Sequence, residues 1–151
     1  MTYDISKFNK LCANSPGNED NHYAGGIQVV HFAAANRMIF TLANICKYVD
    51  RYKKKGKPVQ DLEKALWYTR FQMLDHPNFR TAFRPSDCIS PEIFFESHPE
   101  YNSYQKEIIN KVFEYNWWGQ QHQSHCSFCS VEGLLESCIK EEKKCLKYLF
   151  K

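Results

Sequence analysis

The chain has 151 residues, 43% of them hydrophobic and 15% aromatic, enough for the core of one domain or of a small domain with an extension. It contains no run of about eighteen apolar residues and opens on the polar stretch Met1 to Lys10, so neither a membrane span nor a secretory signal is expected; seven cysteines without a signal then point to reduced thiols in a cytoplasmic setting. A formal net charge of +3 is too small to hold duplex DNA by its bulk field, so no nucleic-acid partner is expected and local charge matters more than the total.

Residues 1–20 read as a polar arm, with Asn14 to Asp20 a loop by its turn chemistry. His22 and Tyr23 precede Gly25 and Gly26, two glycines that allow positive φ or close backbone approach. A short helix is predicted over Ile27–Ala35, with Ile27, Val30 and Ala34 inward, broken at Asn36 and Arg37. A longer helix is predicted over Phe40–Lys54. Gly56 suits a left-handed cap after it, and Pro58 suits the first turn of the next helix. That helix runs to Asp75, with Asp61 and Glu63 favouring its N-terminal end and Leu62, Ala65, Leu66, Thr69 and Met73 as its buried stripe.

His76-Pro77 closes this unit, and residues 77–90 read as an irregular connector. Ser90 and Pro91 suit the N-cap and first position of another helix. Tyr101, Tyr104, Ile108, Val112 and Tyr115 mark a further helix ending near Trp117-Trp118-Gly119. Val131, Leu134, Leu135, Cys138, Cys145, Leu146 and Leu149 mark a last one, capped at Ser130. No segment alternates like a strand. The fold class is therefore all-α: a polar arm at 1–20, a compact three-helix unit at 21–76 and a C-terminal helical extension at 77–151. The three-helix unit is too small to bury enough surface alone. It needs the C-terminal helices, a partner subunit or both, and a homo-oligomer with ligand sites near subunit contacts is expected.

The helix beginning at Phe40 has two opposite faces. Leu42, Ile45, Cys46, Val49 and Tyr52 form an ordinary core stripe. Asn44, Lys47, Tyr48, Arg51 and Lys55 follow helical spacing on the other side, a cationic row carrying an amide and a phenol. Arg51 can grip a phosphate with two parallel hydrogen bonds, Lys47 and Lys55 act as point charges, Asn44 can read a base edge or a ribose hydroxyl, and Tyr48 can stack. Asp61, Lys64 and Tyr68 share one side of the following helix and should face this row across a short turn, with Asp61 placed to orient Arg51 or Lys47. The bland alternative is a solvated charged face with an exposed ion pair.

Residues 21–74 also resemble a phage domain family, found mainly in tailed-phage genomes, that includes the early nucleotide kinase of podophages. The resemblance rests on His22-Tyr23, Gly25-Gly26-Ile27, Phe40, Leu42, Asn44, Lys47-Tyr48, Arg51, Lys55-Gly56, Asp61-Leu62, Lys64-Ala65 and Tyr68, in order. Ala43, Gln28 and His31 depart from it, standing where the family has Gly, Glu and Asp. The resemblance implies a nucleotide ligand and adds His22, Tyr23, Gly25 and Gly26 to the candidate site, the glycines as a backbone nest for an anion.

Two other groups carry less. His122, His125, Cys126 and Cys129 have donor types that suit zinc, but adjacent His125 and Cys126 cannot easily both point at one ion; no metal and no cofactor are expected. Tyr115, Trp117 and Trp118 suit core packing or a subunit contact. No P-loop occurs, and the loss of carboxylates at Gln28 and His31 removes two candidates for a base or a magnesium ligand, so no catalytic residue is assigned. The expected function is capture of a nucleotide or nucleotide-derived, possibly cyclic immune-signalling, molecule in the cytoplasm of an infected host; the alternative is a nucleoside monophosphate kinase without a P-loop.

Overall fold

The computed structural model describes residues 26–79, 86–118 and 125–150, and every regular element among them is a helix. In chain order these are α1 (Val29–Ala35), α2 (Phe40–Arg51), α3 (Pro58–Asp75), a 3-10 turn (His76–Asn78), α4 (Pro91–Glu96), α5 (Ser103–Trp118) and α6 (His125–Leu149). No described helix is long and apolar enough to cross a membrane. The expected arm at 1–20, His22, Tyr23, Gly25 and His122 lie outside the described residues.

Local chemistry accounts for the boundaries. Asn36 ends α1, and Arg37 follows with φ 53°. Helix α2 stops at Arg51 rather than Lys54, although the amides of Lys54 and Lys55 still donate to Arg51 O. Gly56 then reverses the chain at φ 71°, and Pro58 opens α3. Ser90 caps α4 through its Oγ, which accepts from Ile93 N at 3.4 Å. Asn102 and Gln105 cap α5 reciprocally: each side-chain oxygen accepts from the other's backbone N–H, at 2.9 and 3.0 Å. The last helix begins at His125, not at Ser130, so Ser130 lies inside α6 and is not its cap.

One core joins the first three helices to the C-terminal ones. Leu42, Ile45, Cys46, Val49 and Tyr52 of α2 are buried together with Leu62 and Ala65 of α3, Ile108 and Val112 of α5, and Val131 and Leu135 of α6. The C-terminal helices thus supply the surface that the three-helix unit lacks. Trp117 and Tyr115 belong to this core, at 4% and 2% exposure, and not to an exposed patch. The inward face of α1 also differs from expectation. Val30 and Ala34 point outward, whereas His31, Phe32, Ala33 and Ala35 are buried, and Phe32 stacks on Phe94 at 4.4 Å. Burial of the Phe32 ring outweighs that of the smaller Val30.

Polar bonds inside the core fix which helix meets which. Gln105 Nε2 donates to Val49 O at 2.9 Å, and Asn102 Nδ2 donates to Tyr52 OH at 2.6 Å. Asn36 Nδ2 donates to Phe32 O and to Ile89 O, while Asn116 Nδ2 donates to Asn36 O at 2.8 Å. Thr41, Gln72 and Tyr115 form a buried chain that ends at half-buried His76, with Gln72 Nε2 donating to Tyr115 OH at 3.2 Å and His76 Nδ1 2.8 Å from the same hydroxyl. Burial raises the Tyr115 phenol against the opposing effect of Gln72. Outside the core, ion pairs tie α6 to the first unit: Arg70 binds Glu132 and Glu136 at 2.8 Å each, Lys53 binds Glu142, and, with the charges reversed, Lys143 of α6 binds Glu63 at 3.2 Å.

Two predictions test these local readings. Gly26 has φ 77°, and a Cβ there would stand 2.9 Å from Ser97 Cβ, whereas Gly56 has φ 71° with nothing within 4 Å. Gly56→Ala should therefore cost about 1 kcal/mol and Gly26→Ala about 2–3 kcal/mol in urea unfolding, because only the second adds a clash to the left-handed backbone. Equal losses would mean that Ser97 yields freely.

Burial holds the His31 imidazole below its usual value of 6.5. Its Nδ1 accepts from Gln28 N at 3.1 Å and needs the neutral ring to do so. As the pH falls through that value the unfolded chain takes up a proton before the folded one, so stability present at neutral pH is lost on acidification. His31→Asp keeps an acceptor that stays ionised, so its melting temperature should fall less than that of the parent between about pH 7.5 and about pH 5. Equal falls would remove His31 from the acid response.

Candidate functional site

Antiparallel helices joined by a tight reversal must pack on each other, and α3 thereby lays its polar side against that of α2. Arg51 Nε donates to Asp61 Oδ2 at 3.0 Å, as the spacing of Asp61 suggested. Asp61 is 1% exposed, and its other oxygen, Oδ1, has no hydrogen-bond partner. A buried carboxylate is costly without a counter-charge, so Asp61 draws the Arg51 guanidinium down onto the α2–α3 seam.

Beside this pair, Tyr48 of α2 and Tyr68 of α3 stack, with ring centroids 6.0 Å apart and planes 16° apart. Three cations surround the Tyr48 ring: Lys47 Nζ at 5.2 Å, Lys64 Nζ at 5.4 Å and the Arg51 guanidinium carbon at 5.5 Å from its centroid. Each contact contributes about 0.5–1 kcal/mol at an exposed site, set against the mutual repulsion of the cations. Asp61 is the carboxylate bonded within the group. Glu63 and Asp50 of the same helices are turned to Lys143 and Lys54. The face therefore keeps an excess of positive charge around a flat aromatic pair.

The other expected members fall elsewhere. Asn44 is buried, and its amide donates to Phe40 O at 2.8 Å, which serves the helix rather than presenting a reading edge. Lys55 lies exposed on the turn beyond α2. Gly26 sits on Ser97, where Ile27 N donates to Ser97 Oγ at 3.0 Å and His98 Nε2 lies 2.6 Å from Ile27 O. The Ile27 N–H that an anion nest would have used is thus committed to holding the chain against the α4–α5 connector.

Three aromatic residues extend the face. Phe40 meets Tyr68 edge-on at 5.9 Å, Trp67 meets Tyr68 edge-on at 5.0 Å, and Phe71 stacks on Trp67 at 5.7 Å. They are 72%, 60% and 44% exposed. The signal for Phe40 was present in the spacing: it precedes Lys47 by seven residues and Arg51 by eleven, which places all three on one side of α2. Trp67 and Phe71 stand one turn apart on α3.

A second polar cluster lies on the flank of α2. Asp50, His98 and Glu100 bring possible ligand atoms within 4.8 Å of one another. Lys54 Nζ already lies 2.7 Å from Asp50 and 3.4 Å from Glu100, and Tyr101 OH donates to Asp50. Burial and the Asp50 carboxylate both push the Tyr101 phenol far up, so it remains a donor. A metal ion there would have to displace the lysine ammonium, and the cluster is complete as an ion network. Of the zinc-type group His122, His125, Cys126 and Cys129, the two cysteines lie in the first turns of α6, and Cys129 is exposed.

Residues 14–70 match the model of a domain family described as a protein of unknown function, DUF3310. The match contains α1, α2 and the Arg51–Asp61, Tyr48–Tyr68 and Lys64 contacts, and it ends before the C-terminal helices. No curated protein and no solved structure gives a significant match to the chain.

Proposed function

We propose that this chain binds a nucleotide or nucleotide-derived molecule on the basic face of α2 and α3 and captures it without converting it. The observation that carries the reading is the convergence of Lys47, Arg51 and Lys64 on the stacked Tyr48–Tyr68 pair, with Arg51 set in place by buried Asp61. Such a face offers charge for phosphates and flat surface for a ring. The phage-family resemblance suits a phage protein that sequesters a host signalling nucleotide, acting in the cytoplasm of an infected cell. A homo-oligomer remains part of this reading, with the exposed end of α6 at Tyr148 and Leu149, followed by Phe150, as apolar surface available for contact.

The same resemblance favours a second reading, transfer of phosphate to a nucleoside monophosphate. Phosphoryl transfer is mainly positioning and charge stabilisation, which three cations could supply. The carboxylate at this face speaks against it: Asp61 is buried with Oδ2 bound to Arg51, a positioning role rather than that of a solvent-facing base.

Native mass spectrometry of protein purified from cells identifies the retained molecule, and calorimetry with that molecule tests the face. Arg51→Ala should cost about 1.5–3 kcal/mol of binding through loss of a charge-assisted contact. Lys53→Ala should cost little, since Lys53 is turned to Glu142. Equal losses in the two variants, or none at Arg51, would remove the proposed face.

Chemistry is tested separately. After incubation with the chain, heat denaturation should release the captured molecule unchanged, as read by chromatography. A monophosphate supplied with a triphosphate donor should give no more diphosphate than the amount of protein present. Catalytic formation of diphosphate would replace capture by the kinase reading.

A further inference from the structure

From the exposed rings beside the cationic face, we infer that Phe40, Trp67 and Phe71 form a stacking shelf for the base of the bound nucleotide, one that selects ring size rather than base identity. This inference rests on the proposed nucleotide face and deepens it. The shelf begins where the cations end: Tyr48 to Tyr68 is a step of 6.0 Å, and Tyr68 to Trp67 a further step of 5.0 Å. These two steps keep the Trp67 ring within reach of the base of a nucleotide whose phosphates lie beside Tyr48. Phosphates held at Lys47, Arg51 and Lys64 would leave the attached base over Trp67 or Phe40.

The chemistry of the shelf sets its preference. Phe40 and Phe71 carry no polar atoms, and Trp67 carries one indole N–H, so these side chains offer faces and almost no means of reading a base edge. Stacking favours the larger ring system and tolerates either purine. The shelf therefore ranks purine above pyrimidine nucleotides and treats adenine and guanine alike.

The charge argues for a small anionic occupant rather than a second copy of the chain. A two-fold contact centred on this face would bring Lys47, Arg51 and Lys64 against the same three cations of the other copy. An anionic ligand satisfies the cations and covers the rings together.

The test uses the full chain with ATP, GTP, CTP and tripolyphosphate, followed by calorimetry and by tryptophan fluorescence. ATP and GTP should bind with similar affinity and quench Trp67, CTP should bind more weakly, and tripolyphosphate should bind without quenching. Trp67→Ala should weaken ATP and GTP by about tenfold or more and leave tripolyphosphate unchanged, whereas Arg51→Ala should weaken all four. Trp67→Phe should restore affinity while abolishing the quench. Unchanged ATP binding in Trp67→Ala, or ATP and CTP no tighter than tripolyphosphate, overturns the shelf while leaving the nucleotide face standing. If none of the four probes binds, the nucleotide face falls and the shelf with it. A fall in particle mass on Trp67→Ala, read by light scattering, would instead assign the rings to a contact between copies and overturn the inference.

Discussion

The polar seam between α2 and α3 depends on one buried acid. Asp61 sits at 1% exposure in the first turn of α3, where the helix N-terminus favours negative charge but burial opposes it. Arg51 balances that burial from the facing helix at 3.0 Å. Removal of either partner strands a charge in a poorly solvated place, a change of about 3–5 kcal/mol for a fully buried pair and less here because Arg51 is one-third exposed. The pair also fixes the register of the two helices. With Arg51 opposite Asp61, Tyr48 meets Tyr68 and Lys64 reaches the Tyr48 ring. The cationic face is thus a consequence of packing as much as of composition.

The same economy appears on the other flank of α2. Asp50 is buried with Lys54 one turn away, and Tyr101 and Gln105 approach from the chain around the start of α5 to bond Asp50 and the Val49 carbonyl. Beside this group the Cys46 thiol is pushed up to about 12 by burial and the nearby Asp50 charge, so it packs as a small apolar group rather than a nucleophile. Helix α2 is therefore held by apolar packing on its core stripe, by Asp61 on one polar edge and by the Asp50 network on the other. These three anchorages fix the backbone from which Lys47, Tyr48 and Arg51 project.

Helical periodicity made the central elements legible in the sequence. The core stripe of α2 and the stripe of α3 through Thr69 are buried as their spacing required, and Gly56, Pro58 and Ser90 mark turns and starts through backbone chemistry that acts locally. The Arg51–Asp61 contact was legible too, because a short turn leaves two antiparallel helices few ways to meet. Elements governed by distant partners were not. The inward face of α1 is set by Phe94, far along the chain, and Asn44 turns inward to bond its own helix. Ser130 looked like a cap because serine often is one, yet the helix had already begun at His125, and no local rule distinguishes a capping serine from one inside a helix.

The departures from the phage-family pattern take on a physical meaning at the start of α1. The phage family that the sequence resembles has an acid where this chain has His31, and the loss of an acid invites a catalytic interpretation. In this chain, however, His31 is buried and its Nδ1 accepts the Gln28 N–H, the donor left over at a helix start. An aspartate at that position would present a carboxylate oxygen to the same donor. The exchange of Asp for His can therefore conserve a cap while changing only its charge and its response to acid. The neighbouring Gly26–Ile27 segment is likewise bound by Ser97 and His98. Gly26 thus works here as part of a docking point that holds the start of α1 against the α4–α5 connector.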